Sequence, residues 1–532
     1  MQSVFNRSRK RPWRRLAATA VVAAACLTAA GCGGGGESPA RFGISLLPSS
    51  ARARGRLADT QRRPNIVFVL TDDLSLDLLR YMPHVLEMER QGLTFRDYFV
   101  SDSLCCPSRA SIFTGKYIHN THVLDNVGRN GGFRAFYRRR EELHTFALAL
   151  QRSGYLTGLM GKYLNGYLEG GALGKKKDGA AADVPAAYVP PGWNEWSVAG
   201  WGYPEFNYTL NQGGVLYRFG HQSDDYLTDV LANKGTEFIN QAAQRHRPFF
   251  LELSTFAPHA PYRPAPRNRH DFPGLKAPRP PSFDRLPTAA PLWLAHHPPL
   301  GRHEIALINH VFRRRAQSVE AVDRLIAEVE ATLRSDGLSN DTYVIFSSDN
   351  GLHTGEYRLT PGKLTAFDTD IHVPLVVTGP EVRPGSTTSA IAENVDLAKT
   401  FAAIGKARMH GDGRNLLPLF HGQRPLDWRN AALIEHHAPL ITTLDPDFQQ
   451  PDSGRPTTYE AMRTHGYLYV EYADGELEFY DLRRDPFELH NIATSLNLPQ
   501  LSLLHSELMA MAHCHGPGCW AATHVAPLPG PW

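Results

Sequence analysis

Two apolar runs constrain this chain more than anything else in it. Pro64-Asn65-Ile-Val-Phe-Val-Leu70 ends in Thr71-Asp72-Asp73, and far downstream Thr342-Tyr-Val-Ile-Phe346 ends in Ser347-Ser348-Asp349-Asn350-Gly351. Neither run alternates polar with apolar residues, so each suits a strand covered on both faces. Helical patterns lie between them, in His144–Ser153 and in Arg313–Ser335, where Val319, Val322, Ile326, Val329 and Leu333 fall on one stripe. Strands alternating with helices predict an α/β fold with a large, mainly parallel or mixed sheet flanked by helices. In such sheets the functional site lies beyond the carboxyl ends of the strands, which is where both acidic clusters fall.

From about Pro425 the pattern changes. Tyr467-Leu-Tyr-Val-Glu-Tyr472, the turn Ala473-Asp474-Gly475 and Leu477-Glu-Phe-Tyr-Asp-Leu482 read as a hairpin. A chain of 532 residues, 42% hydrophobic, has length for two domains. The expected division is a catalytic domain over 63–424 and a smaller antiparallel-sheet subdomain over 425–532. Two stretches break the α/β rhythm: Gly166–Asn211, rich in Gly, Trp and Tyr, and Pro258–His303, rich in Pro. Both read as long surface loops, either walls of a substrate pocket or plain insertions. They carry Trp193, Trp196, Trp201, Tyr203, Tyr208, Tyr262 and Trp293, whose rings suit stacking on sugars, on phenyl groups or on each other. A net charge of +3 gives no reason to expect a nucleic-acid partner.

Part of that charge is local. Arg7, Arg9, Lys10, Arg11, Arg14 and Arg15 precede an apolar run from Leu16 to Thr28, too short to span a bilayer, and Ala29-Ala30-Gly31-Cys32 follows. This reads as a signal peptide over 1–32 of the lipoprotein type, with Cys32 lipidated and residues 33–62 as a flexible tether. Arg14-Arg15 fits either a twin-arginine signal or a generic basic region. The expected location is outside the cytoplasm, as a cell-surface or periplasmic lipoprotein or a secreted protein, touching membrane through the lipid anchor only.

Export bears on the cysteines. Cys26 leaves with the signal and Cys514 and Cys519 can close a short disulfide loop, although His513 and His515 also allow a zinc clip. Cys105 and Cys106 have only each other, and a vicinal bridge is strained, so a chemical fate for one of them is the simpler reading. They open Cys105-Cys106-Pro107-Ser108-Arg109-Ala-Ser-Ile-Phe-Thr114-Gly115-Lys116. Taken by residue type alone, this is either a buried cysteine pair or a reactive thiol beside the permanent cation Arg109. Asp72, Asp73, Asp349 and Asn350 form an all-oxygen set that suits a hard cation such as Ca²⁺ or Mg²⁺, though each acidic pair alone could be a solvated turn.

Cys-x-Pro-Ser-Arg followed by Thr-Gly resembles the signature of type I sulfatases, in which the first Cys is oxidised to formylglycine. The resemblance continues through Pro64–Asp73, Leu104–Val123, Gly154–Tyr167, Ala257–Pro261, Ser348–Pro374 and Tyr480–Ala493. It is fullest to the N-acetylglucosamine-6-sulfatase and arylsulfatase branch, through Ser103-Leu-Cys-Cys-Pro-Ser-Arg-Ala-Ser111, Gly115-Lys-Tyr117 and Gly161-Lys-Tyr-Leu-Asn165. It implies an alkaline-phosphatase-like fold and one Ca²⁺ held by Asp72, Asp73, Asp349, Asn350 and the modified Cys105. By the same resemblance Arg109 orients the formylglycine, Lys162 and Lys363 bind sulfate, and His259 gives a proton to the leaving alcohol or holds the sulfate. Many sulfatases carry His two residues after the first lysine; here Leu164 stands there, and Asn165 becomes a substrate contact. Asp368, where Glu is common, stays outside the site. His119, His122 and His353 either line the pocket or are ordinary loop residues.

The implied activity is hydrolysis of sulfate monoesters, on sulfated sugars, after maturation by a formylglycine-generating enzyme. The alternatives are a promiscuous arylsulfatase or a phosphate or phosphonate monoesterase on the same scaffold. A further alternative, from another class, is a carbohydrate-binding surface lipoprotein whose Cys105 is never modified.

Overall fold

A computed structural model describes residues 63–168, 187–439, 442 and 445–532. The expected signal peptide and tether lie outside the described residues. Sixteen strands run in chain order as β1 Asn65–Thr71, β2 Leu93–Phe95, β3 Tyr98–Phe99, β4 Leu156–Lys162, β5 Glu195–Ala199, β6 Thr209–Gln212, β7 Val215–Arg218, β8 Phe249–Ser254, β9 Thr342–Ser348, β10 Leu375–Thr378, β11 Ser386–Thr388, β12 Ala392–Glu393, β13 Ala431–His436, β14 Tyr459–Thr464, β15 Tyr467–Tyr472 and β16 Leu477–Asp481. Ten of them form one sheet in the order β11-β2-β10-β9-β1-β8-β4-β5-β6-β7. The centre, β9-β1-β8-β4-β5, is parallel, and antiparallel strands close both sides, with β10 beside β9 and β6 beside β5.

The absence of alternation in β1 has the expected consequence. Ile66, Phe68 and Leu70 enter one core and Val67 and Val69 the other, all fully buried. The first core is covered by α1 Cys105–Thr114, α2 Phe146–Arg152 and α5 Val395–Ile404, through Phe113, Phe146 and Phe401. The second is covered by α3 Leu227–Gln244 and α4 Arg302–Ser335, and the predicted stripe Val319, Val322, Ile326, Val329 and Leu333 lies in it. Helix α4 starts at Arg302, well before the expected Arg313, and Ile308 and Phe312 of its first turns extend the apolar stripe into the same core.

One expectation fails. Gly166–Asn211 is not simply a surface loop, since Glu195–Ala199 supplies β5, paired in parallel with β4. Trp193 and Trp196 pack in the first core and Tyr203 and Tyr208 in the second, leaving only Trp201 well exposed, at 43%. The rings fill space between β5 and its neighbours, which is where large apolar area contributes most. Pro258–His303 is mainly turns, with Tyr262 and Trp293 half-buried.

Strands β13 to β16 form the predicted separate antiparallel sheet, extended by two strands beyond the hairpin read from sequence. Its inner residues Ala432, Ile434, Tyr459, Ala461 and Val470 share the first core with Ile66, so the two sheets are cemented by one apolar mass. Arg429 adds a buried bridge to Glu393 and to Asp396. The Cys514–Cys519 disulfide is formed, which removes these sulfurs from any zinc clip. No helix among the described residues is long and apolar enough to cross a membrane.

One strand of the core buries an uncompensated acid. Glu252, central in β8, is fully buried, neither carboxylate oxygen has a partner, and burial pushes its pKa up to about 8, with Arg109 offsetting only part. The native state therefore keeps a proton that the unfolded chain releases above its ordinary pKa near 4.5. Stability contributed by the protonated form is complete below pH 4.5 and is lost as pH rises toward 8. Glu252→Gln is expected to unfold at a higher temperature than the parent at pH 8, by the equivalent of roughly 2 kcal/mol, with the gap closing by pH 5. Thermal denaturation across that range measures it, and a gap independent of pH would contradict the assignment.

Candidate active site

The parallel register brings four strand ends to one edge. Thr71 pairs with Ser348, Leu70 with Ser254 and Gly161 with Ser254, so the residues that follow, Asp72-Asp73, Asp349-Asn350, Lys162 and the segment to His259, converge there. Asp73 turns the chain at φ +64°, a left-handed conformation that Asp tolerates. Helix α1 points its N-terminus at the same edge. It begins at Cys105, with Pro107 inside the first turn where its missing N–H costs nothing, and every residue of it is buried. Ser108 fastens the helix to β9 by donating its hydroxyl to the Asp349 carbonyl at 2.5 Å.

Arg109 ties the elements together. Its Nε donates to Asp349 Oδ2 at 2.7 Å, its Nη1 donates to Ser254 Oγ at 2.6 Å, and Nη2 lies 3.9 Å from Asp72 Oδ1. Burial alone would push the Asp349 pKa up, but Arg109, followed by Lys162 and Lys363, holds it at about 2. Lys162 Nζ donates to Asp72 Oδ2 at 2.5 Å, and Lys363 Nζ donates to Asp73 Oδ1 at 2.6 Å and to Cys105 Sγ at 3.0 Å. Both lysines are raised, because Asp72 beside Lys162, and Asp447 and then Asp73 beside Lys363, outweigh desolvation.

Cys105 Sγ donates to Asp72 Oδ1 at 3.1 Å. Burial first, and then Asp349, Asp447 and Asp72, push its pKa well above that of an ordinary thiol. Of the two readings by residue type, a reactive thiol beside Arg109 does not describe the unmodified side chain. The guanidinium is already engaged by carboxylates, and the sulfur faces more negative than positive charge. Cys106 turns the other way, its Sγ accepting from Asn165 N at 3.1 Å, among core residues.

Oxygen donors for a metal are assembled. Asp72, Asp73, Cys105 and His259 place candidate ligand atoms within 4.8 Å of one another, all buried. Asn350 Nδ2 donates to Asp73 Oδ1 at 2.7 Å, while Asn350 Oδ1 is buried with no hydrogen-bond partner. An orphaned carbonyl beside the Asp73 carboxylate fits a hard cation, whereas Asp349 does not fall within the grouped donors. His259 does not complete that set, since Nδ1 donates to the Ala260 carbonyl at 2.7 Å and Nε2 donates to Asp447 Oδ1 at 2.6 Å. Burial lowers the His259 pKa, but Asp73 and Asp447 outweigh it and raise it to about 9.

Asn165 is buried near Cys106, its Oδ1 accepting from the Tyr203 hydroxyl at 3.0 Å while Nδ2 is unpartnered. The Tyr203 ring also lies under Lys162, 5.0 Å from Nζ. The three optional histidines fall elsewhere. His119 bonds Glu435 and the Cys514 carbonyl, His353 is buried between Asp370 and the Ser453 carbonyl, and His122 makes no contact with the cluster. Asp368 pairs with Arg463, outside the site as expected. Sequence reasoning missed Asp447, which reaches in from the segment between β13 and β14, and Asn126, which accepts from Cys106 N and donates to Asp447 Oδ2. Neither follows an apolar run, so no local signal marks them.

Residues 64–406 match the sulfatase family model, and residues 355–513 match the model for the C-terminal part of N-sulphoglucosamine sulphohydrolase. The chain belongs to the sulfatase family. As a sulfatase it is a sulfuric ester hydrolase. It is 35% identical over 492 residues to the N-acetylglucosamine-6-sulfatase of Capra hircus, covering 87% of this chain and 86% of the goat protein. Its fold is shared with a solved structure holding its substrate D-glucosamine-2-N,6-O-disulfate, at TM-score 0.67 and 22% identity over 84% of this sulfatase and 97% of that chain. It is also shared with the phosphonate monoester hydrolase of Agrobacterium radiobacter, at TM-score 0.62 and 21% identity over 85% and 95%.

The clamp at the centre of the sulfatase site gives a graded prediction. Arg109→Lys cannot span Asp349 and Ser254 together and should cost about 3 kcal/mol or more of folding stability. Ser254→Ala, which leaves one guanidinium N–H unpaired, should cost roughly 1–3 kcal/mol. Chemical denaturation of the two variants measures the order, and equal losses would show that Arg109 does not act through both partners.

Proposed function

We propose that this sulfatase hydrolyses sulfate monoesters of sulfated sugars, using formylglycine generated from Cys105 by a formylglycine-generating enzyme and one Ca²⁺. The observation that carries the reading is the state of Cys105: a thiol at the focus of the site, buried and held protonated by surrounding carboxylates, is a poor nucleophile until it is modified. A hydrated aldehyde at position 105 supplies two hydroxyls on one carbon, one for attack on sulfur and one through which sulfate is released without a further external water. Asp72, Asp73, Asp349 and Asn350 would hold the calcium, which supplies positive charge for the nucleophile and the sulfate oxygens. Lys162 and Lys363 bind the sulfate and stabilise charge that develops on its oxygens in a site closed to water. His259, fixed at Nδ1 by the Ala260 carbonyl, holds on Nε2, hydrogen-bonded to Asp447, the proton it would give to the leaving oxygen. Arg109 keeps the nucleophile helix, Asp349 and Ser254 in register. Asn165 contacts the substrate beside Lys162.

Sugar as the substrate class is supported by the name of the goat relative. The expected aromatic platform supports it less, because Trp193, Trp196, Tyr203 and Tyr208 belong to the cores, leaving Trp201, Tyr262 and Trp293 as candidate ring contacts. That leaves arylsulfatase action as the second reading. The complete set of charged residues argues against an unmodified sugar-binding lipoprotein. Lipid anchoring at Cys32 and export remain part of the proposal.

Peptide mass analysis of protein made with the maturation enzyme should show the aldehyde at Cys105. Cys105→Ala should abolish turnover and Cys106→Ala should leave most of it, since Cys106 only fills the core. EDTA should inactivate and calcium restore. Active preparations containing only unmodified thiol would sink the mechanism.

Substrate class is separable. Remote contacts to the natural ester are expected to be used in the transition state, so 6-O-sulfated N-acetylglucosamine or a sulfated oligosaccharide should show a higher kcat/KM than 4-nitrocatechol sulfate at matched pH and calcium. Turnover of the aryl ester alone would replace the sugar reading with the arylsulfatase one.

A further inference from the structure

Asp447 is out of place in a pocket meant for anions. Its side chain is essentially buried, and Oδ1 accepts from His259 Nε2 at 2.6 Å and lies 2.7 Å from Lys363 Nζ, two of the groups assigned to the sulfate. It is held there. Oδ2 accepts from Asn126 Nδ2 at 2.6 Å, Asn126 is fixed in turn by Cys106 N, and the Asp447 amide donates to Asp445 Oδ1 at 3.0 Å. Asp447 is also not one of the clustered metal donors. An anion that reaches Lys363 and His259 must therefore lie next to a fixed carboxylate.

Resting on the sulfatase reading, we infer that Asp447 is a specificity-determining residue that selects against dianions. A sulfate monoester brings one negative charge to the pocket. A phosphate monoester brings two at neutral pH, and so does inorganic sulfate, the product. Lys162, Lys363, His259 and Arg109 suffice for the single charge, and Asp447 cancels part of the surplus that would otherwise hold the second. A further unit charge roughly 5 Å from a carboxylate, at an effective dielectric near 20, weakens binding by about two orders of magnitude. The same residue thus rejects phosphate esters and speeds loss of the sulfate product, two effects that a merely structural loop contact would not produce together.

The experiment uses the full, calcium-loaded, matured protein and Asp447→Asn. Dissociation constants for sodium sulfate, a dianion, and sodium methanesulfonate, a monoanion that is not hydrolysed, are taken from thermal-shift titrations at constant ionic strength. In parallel, kcat/KM is measured for 4-nitrophenyl sulfate and 4-nitrophenyl phosphate at pH 8. Asp447→Asn should bind sulfate about tenfold or more tighter with a much smaller change for methanesulfonate, and should shift the kcat/KM ratio toward the phosphate ester by about tenfold or more. Asp447→Glu, which keeps the charge, should keep the parent selectivity. If Asp447→Asn does not fold, Asp447→Ser carries the same expectation. Unchanged or weaker sulfate binding in a folded, charge-removed variant, or an unchanged ratio, overturns the inference while leaving the sulfatase reading intact. A parent protein that neither binds sulfate nor hydrolyses any sulfate ester overturns both.

Discussion

Burying charge is the constraint on which this structure turns. The side chains of Asp72, Asp73, Asp349 and Asp447 are nearly or wholly removed from solvent, and isolated carboxylates in such a position would protonate or unfold the site. They persist because Arg109, Lys162 and Lys363 are buried among them, each within hydrogen-bonding reach of at least one. The arrangement adds little to stability, since the desolvation of both signs offsets most of the attraction. What it fixes is geometry: a guanidinium that must satisfy Asp349 and Ser254 at once locks α1 against the ends of β9 and β8.

The parallel sheet explains why so many charges meet. Five strands with one direction deliver their carboxyl ends to one edge, where charged residues can gather at lower cost than inside a strand buried on both faces. Asp72 and Asp349 sit at those stops, and Lys162 is the last residue of β4. The edge is also where α1 begins, so its dipole adds a partial positive charge beside Cys105. Fold and site are thus one consequence of the apolar runs.

That is also why most of the site was legible in the sequence and part was not. Asp72, Asp73, Asp349 and Asn350 follow runs whose composition announces a double-covered strand, and Cys105 and Arg109 lie in a compact motif. Lys162, Lys363 and His259 have no such mark and were placed by resemblance alone. Asp447 and Asn126 depend on contacts between distant segments, Asn126 meeting a residue 321 positions away, and no local pattern encodes that. The misread stretch Gly166–Asn211 failed for another reason. Glu195–Ala199 is short, and its Trp-rich flanks look like a binding surface until a neighbouring strand is there to cover them. Aromatic residues serve cores and ligand walls with the same chemistry, so only packing can tell the two uses apart.

The paired cysteines show the same limit at the scale of one bond. Residues adjacent on a helix point about 100° apart, so at the first turn of α1 one of Cys105 and Cys106 had to face the strand ends and the other the core. Cys105 meets carboxylates and Lys363, whereas Cys106 meets the Asn165 amide and the apolar mass around Phe113. Both thiols are held protonated by burial, so reactivity cannot be what distinguishes them in the unmodified chain. The difference lies in what an added oxygen would meet. At position 105 it would find cations and a metal-binding oxygen set, and at position 106 a packed interior with one peptide N–H. The phase of the helix gives two identical side chains different surroundings, and Ser108 and Arg109, bonded to Asp349 just past the end of β9, hold that phase in place.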